Sequence, residues 1–254
     1  MNFLFWMYEE GIYRPLFNLM VFFYNVIPGH DIGIAIIVLT IFMRLVLYPL
    51  NGKSIKSQRQ LQEIQPKIKE LQLKYKDDKE QQAKKLMELY QKNKINPLSG
   101  CLPLLLQFPI LIALYQVFMN GFKDESLTML YSGYINNPGH LNAISLGFVD
   151  LASPNAVLAV IAGALQFFQT KMLMSTKETE EEKKESGDME DKNKMPDFAQ
   201  TMNKQMVYIM PVMTFIFALQ FPSGLALYWA ITTAFAIIQQ YLIMKKQAKA
   251  ETND

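Results

Sequence analysis

The sequence has few of the residues that most often carry chemistry. It holds one cysteine, Cys101, and two histidines, His30 and His140. A single cysteine excludes an intramolecular disulfide and leaves no thiolate cluster for a metal. The histidines stand far apart without clustered acidic or cysteine partners, and they read as loop-end residues rather than ligands. There is no glycine-rich phosphate loop, and beyond Asp31 at the edge of the first, no acidic residue falls inside the long apolar runs. Nucleotide chemistry and carboxylate proton relays therefore find nothing to work with, and no metal or cofactor is expected.

Apolar residues are abundant. Half of the 254 residues are hydrophobic, with 17 Phe, 16 Met and 12 Tyr, and the net charge is only +2. Charge and apolarity are segregated along the chain. A helix needs about 20 largely apolar residues to cross a bilayer. Segments 31–50, 97–122 and 156–174 approach or reach that length, as does the pair within 206–244. The last two runs are separated only by Pro222 and Ser223, so they must turn back as a helical hairpin. Pro103, Pro109 and Pro211 sit inside apolar runs, where neighbouring helices in a membrane re-satisfy the freed carbonyls. The reading is an all-α integral membrane protein with five transmembrane helices.

Residues 1–30 are treated separately. Their apolar part is preceded by Glu9, Glu10 and Arg14 and ended by Pro28, which suits a helix lying along the interface. A sixth span is the alternative. No basic start or small-residue cleavage site marks a signal peptide.

Lysine and arginine set the orientation. Loop 51–96 holds about a dozen, with half as many acids, whereas 123–155 has only Lys123. Lys171, Lys177 and Lys204 flank the loop 175–205, and Lys245, Lys246 and Lys249 follow the last span. Basic loops stay cytoplasmic, so the N-terminus lies outside and the tail 245–254 inside. Within 51–96, Leu61, Ile64, Ile68, Leu71 and Tyr75 form a heptad seam, and Ala83, Leu86, Met87 and Tyr90 resume an apolar stripe. This predicts an antiparallel cytoplasmic hairpin, with Pro66 off the seam. Loop 175–205 is acidic, nearly free of apolar residues, and expected to be disordered.

Arg44 is the one arginine inside a span. At the bilayer centre an arginine costs between about 2.5 and 17 kcal/mol, so its depth decides its role. It lies close enough to the cytoplasmic end to snorkel as a positive anchor. Thr40, Tyr48 and Asn51, at −4, +4 and +7, share its helical face, which favours a hydrated recess. Other spans offer Gln107, Gln116, Gln166, Gln169, Tyr228, Trp229, Thr232 and Thr233 to such a recess. With no internal counter-ion, Arg44 calls for an anionic partner from outside the protein.

The run from Thr40 through Arg44 and Tyr48-Pro49 to Leu50 resembles the first conserved span of the YidC-type insertases of the Oxa/Alb superfamily. So do Asn96 to Pro109, Ala113 to Tyr115, Gln166 to Met172, Met210-Pro211, Phe221 to Trp229 and Gln239-Gln240, in order along nearly the whole chain. Thr233 stands where the family often has Asn or Ser. The resemblance is to the compact bacterial form without a large extracytoplasmic domain.

It implies a non-enzymatic insertase and chaperone of the bacterial plasma membrane. Five helices would enclose a hydrophilic groove open to the cytoplasm and lipid. Arg44 would draw in the acidic tail of a nascent membrane protein. Thr40 and Trp229 would line the route, with Tyr228 beside them and Gln166 or Gln169 adding polarity. The implied partners are client chains and lipid, with the Sec translocon, signal recognition machinery and ribosome as further candidates and no sequence-specific nucleic acid. An anion transporter or channel using Arg44 is the alternative, although no internal repeat is visible. A purely structural assembly factor is a third reading.

Overall fold

The computed structural model describes residues 3–96, 102–174 and 198–251. These residues are mostly helical: α1 (Phe3–Tyr8), a wide π-helical turn (Glu9–Tyr13), α2 (Arg14–Val26), α3 (Ile32–Val46), α4 (Tyr48–Glu63), α5 (Gln65–Lys74), α6 (Lys79–Lys92), α7 (Leu102–Asn120), α8 (Ala156–Met174), α9 (Phe198–Gln220) and α10 (Ser223–Glu251). A 3-10 turn at Asp124–Met129 and a short antiparallel pair, β1 (Ile144–Ser145) with β2 (Val149–Asp150), occupy the 123–155 loop. That pair is the one departure from an all-α chain among the described residues.

Proline decides several helix ends. The first span is expected over 31–50, yet α3 stops at Val46 and a new helix starts at Tyr48 after Leu47 (φ −85°, ψ −1°). Pro49 has no N–H and its ring clashes with the carbonyl four residues back, so α3 cannot continue through it. In the first turn of α4 that missing donor costs nothing. Pro66 likewise opens α5 after a break at Ile64. Two further boundaries differ from the sequence reading. The helix of the fourth apolar run begins at Phe198, so 198–205 are helical rather than loop, and α10 runs on through the expected tail to Glu251. Residues 175–197, most of the acidic loop, and 97–101 lie outside the described residues.

By length and composition, Ser223–Lys245 is long and apolar enough to cross a membrane, and α3 qualifies only when joined to α4. Leu105–Asn120, Ala156–Met172 and Tyr208–Gln220 are shorter apolar helices.

The chain divides into two compact units, Met1–Val46 with Phe108–Ile238, and Leu47–Gln107 with Gln239–Asp254. In the first, α2 packs on α3 and α8 on α9. Phe17, Met20, Ile32, Ile36, Leu114 and Phe118 are fully buried. Small residues let helices approach closely here: Ala159 of α8, Ala218 of α9 and Ala226 of α10 cluster together, and Gly163 of α8 faces Phe215 and the Pro211 carbonyl of α9. The outward surface of this unit is apolar: Val157, Val160 and Ile161 on α8, and Val212, Met213 and Ile216 on α9, are exposed. Its interior holds Asn18, Thr40, Thr214, Thr232 and Thr233. An apolar outside around a partly polar inside is the distribution a lipid solvent selects.

In the second unit α5 and α6 pack together around Ile64, Ile68 and Ile95, with Leu61, Leu86, Leu89 and Tyr90 against them. Early residues of one arm meet late residues of the other, so the arms are antiparallel. Asp78 caps α6 by accepting from the Gln81 N–H at 3.0 Å, and Gln82 Nε2 donates to the Gln72 carbonyl at 2.9 Å. Met87, placed on the stripe by its spacing, is exposed, and Leu89 packs inward. Here too Gln239 Nε2 donates to the Tyr48 carbonyl at 2.8 Å.

Candidate functional site

Arg44 lies in the last turn of α3, half-buried. Its Nε donates to Thr232 Oγ1 of α10 at 3.4 Å, longer than an ordinary N–H···O bond. A guanidinium has five N–H donors. Among the described residues this is the one hydrogen bond Arg44 makes, and no carboxylate pairs with it. Tyr228 and Thr232 are four residues apart, so α10 presents both on one face, with half-buried Trp229 beside Tyr228.

The other expected site residues differ in burial and bonding. Thr40 is 1% exposed and donates to the Ile36 carbonyl at 2.6 Å, so its hydroxyl is satisfied by its own helix and belongs to the packed wall. Tyr228 is also buried, whereas Trp229, Gln166 and Gln169 remain half-buried. Gln166 Nε2 reaches Thr170 Oγ1 at 3.4 Å within α8, and among the described residues neither glutamine bonds to Arg44. Gln116 turns elsewhere, accepting from the Tyr8 hydroxyl at 3.0 Å. The stripe through Tyr48 and Asn51 does not exist as one helix face, because α3 ends before either residue. Thr232 is the partner that spacing on α3 alone did not single out.

The 123–155 loop ties down one end of the first unit. Asn18 of α2 donates to the Met129 carbonyl at 3.1 Å and accepts from the Tyr131 N–H at 2.7 Å. Asp31 caps α3 through the Ile34 N–H at 3.0 Å and also accepts from the Ser145 hydroxyl (2.7 Å) and the Leu146 N–H (2.6 Å). At the start of α10, Ser223 and Gly224 donate backbone N–H groups to the Ser153 and Leu151 carbonyls, each at 3.0 Å. Three helices are thereby pinned at the end opposite Arg44, which sits at the far end of α3. None of these contacts was legible from apolar periodicity. Among the described residues no cluster of His, Cys, Asp and Glu could hold a metal ion.

Comparison with known proteins matches residues 22–251 to the family described as 60Kd inner membrane protein. Three relatives carry the name membrane protein insertase YidC. The one from Oceanobacillus iheyensis is 38% identical over 217 residues, covering 84% of this chain and 74% of the relative. The one from Fusobacterium nucleatum is 34% identical, covering 93% of this chain and 98% of the relative. The one from Geobacter metallireducens is 36% identical over 94% of this chain, which spans only 38% of that longer protein. Their shared name is that of an insertase, not an enzyme. The chain belongs to the 60Kd inner membrane protein family, that of the YidC insertases.

Proposed function

We propose that this chain inserts and folds membrane proteins in the bacterial plasma membrane, with Arg44 as a reversible electrostatic contact for the acidic tail of a client. The observation that carries this reading is the half-buried guanidinium whose one hydrogen bond among the described residues is long and neutral. Five spans cross the bilayer, with the N-terminus and 123–155 outside and 51–96, 175–205 and the C-terminal end inside. The exposed apolar faces of α8 and α9 support this arrangement, as does the lysine and arginine distribution. Arg44 and Trp229 line a groove open to the cytoplasm, with Gln166 and Gln169 adding polarity and Thr40 and Tyr228 behind it in the wall. The α5–α6 hairpin is a docking arm for targeting or translocation partners such as the ribosome, the signal recognition machinery or the Sec translocon.

Magnitudes favour a contact that forms and releases. A guanidinium and a carboxylate about 4 Å apart gain about 4 kcal/mol at an effective dielectric of about 20. An acidic residue at the middle of a membrane helix costs about 2.5–3.5 kcal/mol. The two are comparable, so Arg44 offsets the entry of the tail without trapping it. Burial of the client's apolar helix in lipid then drives completion.

Reconstitution of the purified full chain into liposomes tests this function. A small single-span client with an acidic N-terminal tail is expected to become protease-protected above the level in empty liposomes. Protection equal to that in empty liposomes contradicts the proposal, and anion flux without protection would favour a transporter.

A further inference from the structure

A second polar site lies in the first unit, away from Arg44. The π-helical turn, α1, the end of α7 and the 3-10 turn line an open cavity of about 340 Å³, the lower end of the range for small-ligand pockets. Its lining includes Glu9, Tyr13, Gln116, Lys123 and Glu125. Glu9 and Glu125 have no cationic partner among the described residues, since the nearby Arg14 pairs with Glu10 at 3.0 Å. Tyr13 is 6% exposed, and its hydroxyl makes no hydrogen bond among the described residues although the residue lines the cavity. Burial, and then the Glu9 carboxylate, push that phenol above its ordinary pKa, so it stays a donor. Gln116 accepts from Tyr8, and among the described residues its amide N–H groups stay unbonded and the Lys123 ammonium donates only to Asn120 Oδ1 at 3.1 Å.

The cavity therefore offers two carboxylates for a cation beside an ammonium, an amide and a phenol for an anion. Phe5 is in its lining, and Phe3, Phe5 and Trp6 are all more than half exposed, so an apolar aromatic edge adjoins it. A ligand that joins a cation, an anion and apolar chains in one molecule is a zwitterionic phospholipid. The carboxylates select a primary ammonium over a quaternary one, because only the former donates hydrogen bonds. π-helical turns occur disproportionately at functional sites.

We propose that this cavity binds the headgroup of a phospholipid bearing a primary ammonium, with Glu9 and Glu125 on the ammonium and Lys123, Gln116 and Tyr13 on the phosphate. The proposal rests on the membrane-embedded reading but not on the role of Arg44.

The test is native mass spectrometry of the full chain released from detergent, with equal amounts of dioleoyl phosphatidylethanolamine, phosphatidylcholine and phosphatidylglycerol. Wild type is expected to retain the ethanolamine lipid preferentially. Loss of a charge-assisted hydrogen bond should reduce that retention roughly tenfold in Glu9→Gln/Glu125→Gln, and by a smaller factor in Glu125→Gln alone, an exposed position where the fold is not at risk. Tyr13→Phe should weaken it severalfold. Equal retention of all three lipids by wild type would overturn the site, and so would undiminished preference in the glutamine variants. Either result leaves client insertion, read separately in liposomes, untouched.

Discussion

Arg44 and Thr232 meet across 3.4 Å, joining the last turn of α3 to the middle of α10 by a hydrogen bond at the weak end of the range. A strong bidentate partner would neutralise the guanidinium and fix it. A single distant hydroxyl orients it and leaves most of its donors available. The proposed function depends on that imbalance.

Thr232→Val tests the orienting role. The side chain is buried and nearly isosteric with valine, so packing should be kept. Losing one long hydrogen bond should cost about 0.5–1 kcal/mol of stability. Insertion of a client with an acidic tail should fall severalfold, while a client with a neutral tail inserts as before. Equal loss for both clients, measured side by side, would mean that Thr232 acts through packing alone.

Asn18→Ala should destabilise the chain far more. Asn18 is 2% exposed and bonds the Arg14 and Met129 carbonyls and the Tyr131 N–H, the last at 2.7 Å. Leaving buried backbone groups unpaired costs about 1–3 kcal/mol. Thermal unfolding in detergent should shift down clearly, and Asn18→Asp should lie between, because it keeps the acceptor for Tyr131 and loses the donor. A melting temperature unchanged in Asn18→Ala would remove the 123–155 loop from the set of structural anchors.

Gly163 sets the approach of α8 to α9. A Cβ there would stand 3.2 Å from Phe215 Cβ and 3.4 Å from the Pro211 carbonyl. Alanine demands a shift of a few tenths of an ångström, whereas leucine overpacks the contact at a cost of about 1–3 kcal/mol. The expected stability order is Gly, then Ala, then Leu. Leucine as stable as glycine in the same unfolding assay would show that the two helices can separate freely.

What the sequence made legible followed from periodicity and composition. Leu61, Ile64, Ile68, Leu86 and Tyr90 all take part in the hairpin cluster, because apolar residues at helical spacing must find a common face. Arg44 stood out because a cation among apolar neighbours is costly. The end of α3 was also written in the sequence, at Pro49, but an apolar run reads through a proline unless its missing N–H is counted. The anchors Asn18 and Asp31 could not be foreseen. They bond backbone groups more than a hundred residues away, and no pattern along the chain encodes those partners. Thr40 was misleading for a related reason: a hydroxyl in an apolar helix reads as polar lining until its bond to Ile36 is seen.

The most direct test of the central claim is insertion by Arg44→Ala and Arg44→Lys in liposomes, using one client with its acidic tail and the same client with that tail neutralised. A lost pairing worth about 3–4 kcal/mol corresponds to roughly a hundredfold or more in occupancy. The expected result is near-complete loss with alanine for the acidic tail, substantial recovery with lysine, and little effect of either variant on the neutral tail. Normal insertion of the acidic client by Arg44→Ala would contradict the role assigned to this arginine.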